Sequence, residues 1–233
     1  MCWQTVFLYI RTVIMEAAPE ILYQDNHLLA VAKPAGWLVQ GDATGDSTLS
    51  DWVKDYIKEK YKKPGLVYLG VLHRLDRPVS GIVLFARTSK AAERMSRLFQ
   101  QHAIEKRYVA MVKGMPAQPE AVLENYLLRN EKNNTTRAFV RPVDGAQYAR
   151  LDYTVLKKYP AHSLLEINLH TGRHHQIRSQ LAFIGCPIKG DVKYGYSTPN
   201  PDGSIDLHAR LLRFKHPVTQ AEITIESNPP FAV

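Results

Sequence analysis

The spacing of apolar and polar residues predicts short strands that come in runs, with three helices between them. From residue 20 onward, apolar residues either alternate with polar ones or form short runs that end at turn residues, which is typical of β-strands. The predicted strands cover residues 21–23, 28–32, 66–72, 82–86, 107–113, 121–128, 148–157, 165–169, 205–214 and 221–225. Because strands and helices do not alternate strictly, the pattern favours an α+β fold with a mixed, mainly antiparallel sheet.

The helices are predicted where apolar residues recur three and four positions apart. They are expected at residues 48–61, 89–101 and 174–184. Thr48 and Ser89 have the hydroxyl groups expected of N-caps, and Gly185 is expected to end the third helix. The sheet is therefore expected to be flanked by only a few helices.

The N-terminal segment differs from the rest of the chain. Residues 1–14 are apolar, and their one charge, Arg11, lies within or after the apolar part, whereas a secretory signal places its positive charge first. We interpret residues 1–14 as an extension outside the fold and residues 15–233 as a single domain. Cys2 and Cys186 match no disulfide or metal spacing and favour the cytoplasm, and no run reaches the roughly 18 apolar residues of a membrane helix.

The charge balance points to a polyanionic partner. Of the 233 residues, 30 are Lys or Arg and 22 are Asp or Glu, which gives a net charge of +8. Such a surplus favours nucleic acid, although a basic surface also serves solubility alone. Acidic residues are absent from residues 167–190 and again from residues 207–221. Two such windows fit an RNA or DNA track better than scattered charge.

Residues 73–78, HRLDRP, are the strongest local candidate for chemistry. Asp76 lies between two arginines, and neighbouring positive charge keeps a carboxylate ionised and available as a nucleophile or charge stabiliser. From composition alone, an ordinary ion pair across a turn is the favoured explanation of the same residues. Local pattern alone leaves both interpretations open.

Two other segments are candidates for anion or base binding. Residues 171–178, TGRHHQIR, connect a predicted strand to a predicted helix, and a helix N-terminus with glycine and arginine before it suits a phosphate or a carboxylate. Tyr108 begins a strand after Lys106 and Arg107, where it either stacks on a base or packs in the core. The histidines lack an HExxH or CxxC partner motif for zinc, and phosphate-binding loops and serine-nucleophile motifs are absent from the sequence.

Residues 73–81, HRLDRPVSG, resemble the HRLDxxTSG motif of the RluA-type pseudouridine synthases. Further similar blocks follow the family's order at residues 31–36, 106–108, 171–178, 190–191 and 194–195. The resemblance spans roughly residues 20–226 and is specific because the blocks occur together. Val79 replaces the usual threonine and Gln40 a common histidine, which affects substrate details rather than the chemistry.

The resemblance implies a pseudouridine synthase fold and the isomerisation of specific uridines to pseudouridine in structured RNA, with no cofactor and no metal. Ribosomal RNA is the preferred target and transfer RNA is possible, and the protein is expected to be a cytoplasmic monomer without an obligate protein partner. Asp76 would be the essential carboxylate, because cleavage of the glycosidic bond builds positive charge on the sugar. A catalytically idle RNA-binding protein on the same scaffold is the main alternative, and hydrolytic release of uracil is another.

The resemblance also assigns roles to individual residues. Arg178 would pair with Asp76, and Tyr108 would pack against the uracil and act as the acid or base near it. Arg74 would fill the space that the target nucleotide leaves when it swings out of its stack. The expected RNA contacts are Arg74, Arg77, Arg173 and Lys106. His73 is expected to support its loop by hydrogen bonding, outside the catalytic set.

Overall fold

The structure is a computed structural model that describes residues 19–41 and 45–231, so the extension predicted at residues 1–14 lies outside the described residues. The strands are β1 (Glu20–Gln24), β2 (Leu28–Lys33), β3 (Gly70–Val71), β4 (Ser80–Ala86), β5 (Glu105–Lys113), β6 (Glu120–Asn130), β7 (Thr135–Phe139), β8 (Gln147–Lys158), β9 (His162–Leu169), β10 (Leu207–Lys215) and β11 (Glu222–Glu226). The helices are α1 (Leu49–Lys60), α2 (Ser89–Gln100) and α3 (Gln176–Phe183), and a 3-10 turn covers Val192–Tyr194.

These strands form one mixed sheet. Its order is β1-β2-β4-β10-β5-β9-β8-β6-β7, with β3 added to β4 and β11 added to β10. The neighbouring strands pair antiparallel except β4 and β10, which are parallel. The predicted α+β fold with a mainly antiparallel sheet is confirmed. None of the helices in the described residues is long and apolar enough to cross a membrane.

The helices cover the two faces of the sheet unequally. Helices α1 and α3 pack on one face, where the larger apolar core contains Val53, Ile177 and Tyr108. Helix α2 packs on the opposite face through residues such as Met95. Strand β4 is buried along its whole length because its alternate side chains enter the two cores, which explains its continuous apolar run. The loop before β4 lies on the α1 and α3 face.

The helix boundaries follow from capping. Thr48 caps α1 as predicted and forms a capping box with Asp51. Helix α2 is capped by Thr88, one residue before the predicted Ser89, because its hydroxyl accepts the Ala91 amide. Helix α3 starts at Gln176 rather than at residue 174, since His175 has a left-handed φ of 49° and cannot continue a helix.

The sequence patterns misjudged two strands. Residues 66–72 contribute only the two residues of β3, and Leu66 is fully exposed, so an apolar run here does not become a buried strand. Strand β7 was not predicted, because five residues give too short an alternation to stand out. It forms by antiparallel pairing with β6, and Thr136 and Ala138 face inward.

The parallel contact between β4 and β10 requires a glycine. Gly81 has a φ of 117°, and a side chain there would overlap the carbonyl oxygen of Ala209. Beside it, Ser80 Oγ lies 2.8 Å from His208 Nδ1, and His208 Nε2 lies 3.2 Å from the Ser227 carbonyl oxygen. Burial lowers the pKa of His208 to about 4, so the ring is neutral at pH 7. This contact anchors the strand that leaves the loop of Asp76.

We predict that Gly81→Ala destabilises the protein by about 3 kcal/mol, because the backbone conformation and the contact with Ala209 both oppose a methyl group. Gly185→Ala is the matched control, since Gly185 also has a positive φ, 79°, but nothing within 4 Å of its missing side chain. The control should lose only about 1 kcal/mol. Urea unfolding measures both free energies, and equal losses would contradict the close approach.

Candidate active site

The loop that carries Asp76 is tied to the loop that follows β2. Lys33, at the end of β2, is buried, and its ammonium group donates to the carbonyl oxygens of Pro34, Trp37 and Arg77 at 2.9, 2.8 and 3.2 Å. A buried charge needs such partners, so the lysine holds the two loops in one arrangement. Sequence patterns gave Lys33 no role of its own, although a lysine that ends an apolar strand is a detectable signal.

Arg77 strengthens the same junction. Its carbonyl accepts the Gly36 amide at 2.8 Å, and its Nε donates to the Gly36 carbonyl at 3.0 Å. Its Nη1 pairs with Asp46 at 2.9 Å. The guanidinium predicted to contact RNA is therefore engaged in joining two loops, although its side chain stays half exposed.

Arg178 approaches Asp76 from the first turn of α3. Its Nη1 donates to Asp76 Oδ2 at 3.1 Å, while Nε and Nη2 donate to the two oxygens of Asp191 at 2.7 and 2.9 Å. Its guanidinium carbon lies 4.9 Å from the centre of the Tyr194 ring. The structure thus brings two of the predicted catalytic residues together and adds Asp191, which belongs to the similar block at residues 190–191 but had no predicted role.

The two carboxylates around Arg178 differ in exposure. The Asp191 side chain is 1% exposed, whereas that of Asp76 is 31% exposed. Among residues 19–41 and 45–231, both polar contacts of Asp76 fall on Oδ2, from Arg178 and from His175 Nε2 at 3.5 Å. Asp76 is therefore held through one oxygen, and its carboxylate remains accessible from the surface.

Tyr108 lies on β5 beneath this carboxylate, with Ile167 and Ala209 as its neighbours on the adjacent strands. Burial, and then the negative charge of Asp76, raise the pKa of Tyr108 well above its ordinary value. The phenol is therefore protonated at neutral pH. A general base needs the opposite shift, and a phenol with so high a pKa is also a weak acid, so the protonated hydroxyl is suited to donating a hydrogen bond.

The remaining predicted cations take different positions. Arg74 is exposed, and Arg173 is exposed with its Nε donating to the Tyr148 carbonyl at 3.0 Å. Lys106 is half-buried, its ammonium lies 3.9 Å from where a Gly172 side chain would begin, and burial lowers its pKa. Lys106 therefore lies beside the basic segment of residues 171–178, as a phosphate contact would require.

Two further cations, Arg129 and Lys193, stand at the edge of the site. Burial, together with the positive charges of Arg129, Arg178 and Lys193, lowers the pKa of His174, and the charge of Asp76 opposes this shift. Arg129 and Lys193 are exposed, and both contact Asn134, at 3.4 and 3.5 Å. Within the described part of the chain neither forms an ion pair. Sequence patterns missed them because the chain brings them together only through the β6–β7 turn.

His73 supports its loop through a hydrogen bond to strand β4. Nε2 of His73 accepts a hydrogen bond from the Leu84 amide at 3.0 Å, and burial lowers the pKa of His73 to about 4, so the neutral ring supports its loop as expected.

In the described residues, no group of three or more His, Cys, Asp or Glu side chains is arranged to hold a metal ion. His170 instead contacts Asp152 across neighbouring strands.

Comparison with known proteins connects this geometry to a family. The sequence profile described as RNA pseudouridylate synthase matches residues 27–183. The chain belongs to this family. The matched region contains Asp76, Tyr108 and Arg178, and the resemblance to RluA-type enzymes is confirmed. The family consists of isomerases that act on RNA.

Relatives within the family have different names. A protein named tRNA pseudouridine synthase C from Salmonella typhimurium is 35% identical over 229 aligned residues, which cover 89% of this chain and 84% of that protein. A protein of the same name from Pectobacterium carotovorum is 33% identical, and the alignment covers 89% of this chain and 58% of that protein. A ribosomal large subunit pseudouridine synthase D from Nitrosomonas europaea is 34% identical, with 90% of this chain and 59% of that protein covered. The chain thus spans little more than half of some relatives.

Solved structures agree on the fold. Human RNA pseudouridylate synthase domain containing 4 superposes with a TM-score of 0.76 at 24% identity, covering 97% of this chain and 92% of that chain. Human RNA pseudouridylate synthase domain containing 1 superposes with a TM-score of 0.72 at 23% identity, covering 92% of this chain and 84% of that chain. The pseudouridine synthase fold expected from the resemblance is confirmed.

We predict that the two carboxylates bound to Arg178 contribute differently to stability. Asp191→Asn should lower the free energy of unfolding by about 3 kcal/mol, because it breaks a buried pair with two hydrogen bonds. Asp76→Asn should change it by less than about 1 kcal/mol, since Asp76 is partly exposed and Arg178 keeps Asp191. Urea unfolding of the two variants provides the comparison. A larger loss for Asp76→Asn would contradict the proposed division of roles.

Proposed function

We propose that this protein isomerises specific uridines to pseudouridine within structured RNA, with Asp76 as the essential carboxylate. The observation that carries the proposal is a partly exposed carboxylate held through one oxygen by a buried arginine, beside a protonated tyrosine. Breaking the bond between the sugar and uracil builds positive charge on the sugar, which a close carboxylate stabilises or captures. Tyr108 packs against the uracil and donates a hydrogen bond near it, in place of the acid or base role that the resemblance implies.

The target nucleotide must leave its stack to reach Asp76, which costs a few kcal/mol. Arg74 is exposed and lies two residues from Asp76, so its planar guanidinium fills the vacated space and offsets part of that cost. Arg173 and Lys106 contact phosphates on the same side of the site. Arg77 contributes chiefly by holding the loop, because its guanidinium already pairs with Asp46.

The RNA target is proposed at a coarser level. Relatives named for transfer RNA and for ribosomal RNA have similar sequence identity to this chain, at 35% and 34%. The preference for ribosomal RNA therefore stays a prediction, and transfer RNA is supported equally well. Action on RNA in the cytoplasm, as a monomer without an obligate protein partner or cofactor, completes the proposal.

Tritium release from RNA labelled at carbon five of uracil tests the reaction. The substrate is total RNA from a strain that lacks this protein, so that the target uridine is unmodified. Wild-type protein should release tritium, and Asp76→Asn should release none while still binding the RNA. Lys90→Gln is the control, because Lys90 lies on α2 on the opposite face of the sheet, and this variant should release tritium as the wild type does.

The same assay separates the alternatives. RNA binding without tritium release by a folded wild-type protein would favour the idle binder and contradict the proposal. Free uracil, detected by chromatography, would indicate hydrolytic cleavage instead. Turnover by Asp76→Asn would remove Asp76 from the essential position while leaving isomerisation in place.

We predict that Arg129 and Lys193 contact RNA phosphates, because both are exposed, lack an ion-pair partner among the described residues and stand at the edge of the site. Arg129→Gln and Lys193→Gln should each reduce the slope of log Kd against log salt concentration by about 0.7 to 0.9, the value for one lost phosphate contact. Lys90→Gln removes the same charge from the opposite face and should leave the slope unchanged. Equal slopes for all three variants would contradict the assignment.

A further inference from the structure

Two hydrogen bonds and one longer polar contact connect β7 to the Asp76 carboxylate. The Thr136 amide donates to the Tyr194 hydroxyl oxygen at 2.8 Å, and this hydroxyl lies 2.8 Å from His175 Nδ1. On the other side of the ring, His175 Nε2 lies 3.5 Å from Asp76 Oδ2. These contacts therefore join a strand that the sequence pattern missed to the oxygen that Arg178 also holds.

The donors and acceptors in these contacts fix one form of the imidazole. Burial lowers the pKa of His175 to about 3, so the ring is neutral and carries one N–H. If that hydrogen were on Nδ1, the Nε2 lone pair would face the negative Asp76 carboxylate at 3.5 Å, which is repulsive. If it is on Nε2, Tyr194 donates to Nδ1 and the Nε2–H faces the carboxylate. The second arrangement replaces this repulsion with an attractive contact and keeps the hydrogen bond between Tyr194 and the ring.

We propose that His175 is a positioning residue for Asp76: Tyr194 holds the neutral ring with its hydrogen on Nε2, and this N–H acts with Arg178 to fix Oδ2 so that Oδ1 faces the reacting sugar. The proposal rests on the function proposed above and adds a residue to that site. A carboxylate bound through one oxygen by two donors keeps a defined orientation, whereas a single donor leaves it free to rotate about the contact.

The backbone of this segment supports a role beyond packing. His175 adopts a left-handed conformation immediately before α3, which is uncommon for a histidine and costs free energy. In this conformation the ring of His175 is buried and stacks on that of His174, with the ring centres 3.8 Å apart. His174 is fixed as well, because its Nδ1 lies 2.8 Å from Thr136 Oγ1.

The hydrogen position can be measured without RNA. In protein labelled with 15N-histidine at neutral pH, His175 should show an unprotonated Nδ1 and a protonated Nε2, and the spectrum of His175→Gln identifies its signals among the nine histidines. Tyr194→Phe removes the donor to Nδ1 and should shift the Nδ1 resonance. A hydrogen on Nδ1, or a charged ring, would overturn the proposal whether or not the protein isomerises uridine.

Two substitutions separate positioning from packing. Gln places an amide N–H near the position of Nε2, whereas Asn reaches only the position of Nδ1 and suits the left-handed backbone, so a loss with Asn does not reflect backbone strain. At saturating RNA, His175→Asn should lower the single-turnover rate by about 10- to 100-fold with unchanged RNA affinity, and His175→Gln should recover most of the rate. Equal rates for Asn and Gln, or a loss confined to RNA affinity, would overturn the proposal. Absence of tritium release by the wild type would instead reject the proposed function.

Discussion

The site depends on the way one buried guanidinium divides its donors between two carboxylates. Arg178 is almost fully buried, and a buried charge is tolerated only when it is paired and hydrogen-bonded. Asp191 takes both hydrogen bonds from one edge of the guanidinium, which fixes its plane and leaves Nη1 directed at Asp76. The planar fork of arginine suits this arrangement, because a lysine has a single ammonium centre and could not serve both partners with fixed geometry.

Three separate parts of the chain are aligned by this contact. Helix α3 carries Arg178, the turn before Val192–Tyr194 carries Asp191, and the loop before β4 carries Asp76. The loop of Asp76 is also held by contacts outside the site: Lys33 and Arg77 hydrogen-bond it to the loop after β2, and Gly81 allows β4 to approach β10. The precision of the site therefore comes from the sheet and its loop contacts, and the exposed carboxylate does not have to contribute to stability.

The sequence allowed the elements to be predicted better than the partners of each side chain. Alternation and helical spacing depend on neighbouring residues, and they indicated most strands and all three helices. The partner of Asp76 is 102 residues away and depends on topology, so local reasoning considered the adjacent arginines, while the family resemblance indicated Arg178. Thr136 was missed for the same reason, and Asp191 belongs to the similar block at residues 190–191, but its pairing with Arg178 depends on the fold.

The electrostatic interactions inside the site differ from those at its exposed edge. Inside the site, Arg178 pairs with both Asp191 and Asp76, and His175 and Tyr108 are neutral, so these five side chains together carry one net negative charge. Partial burial limits the screening of that charge, which strengthens its effect on a developing positive sugar. At the edge, Arg129 and Lys193 are exposed, so in the proposed function they act on phosphates through solvent and are screened by salt. An anionic centre can thus operate on a polyanion, because the surrounding positive charge attracts the backbone while only the sugar and base approach the carboxylate.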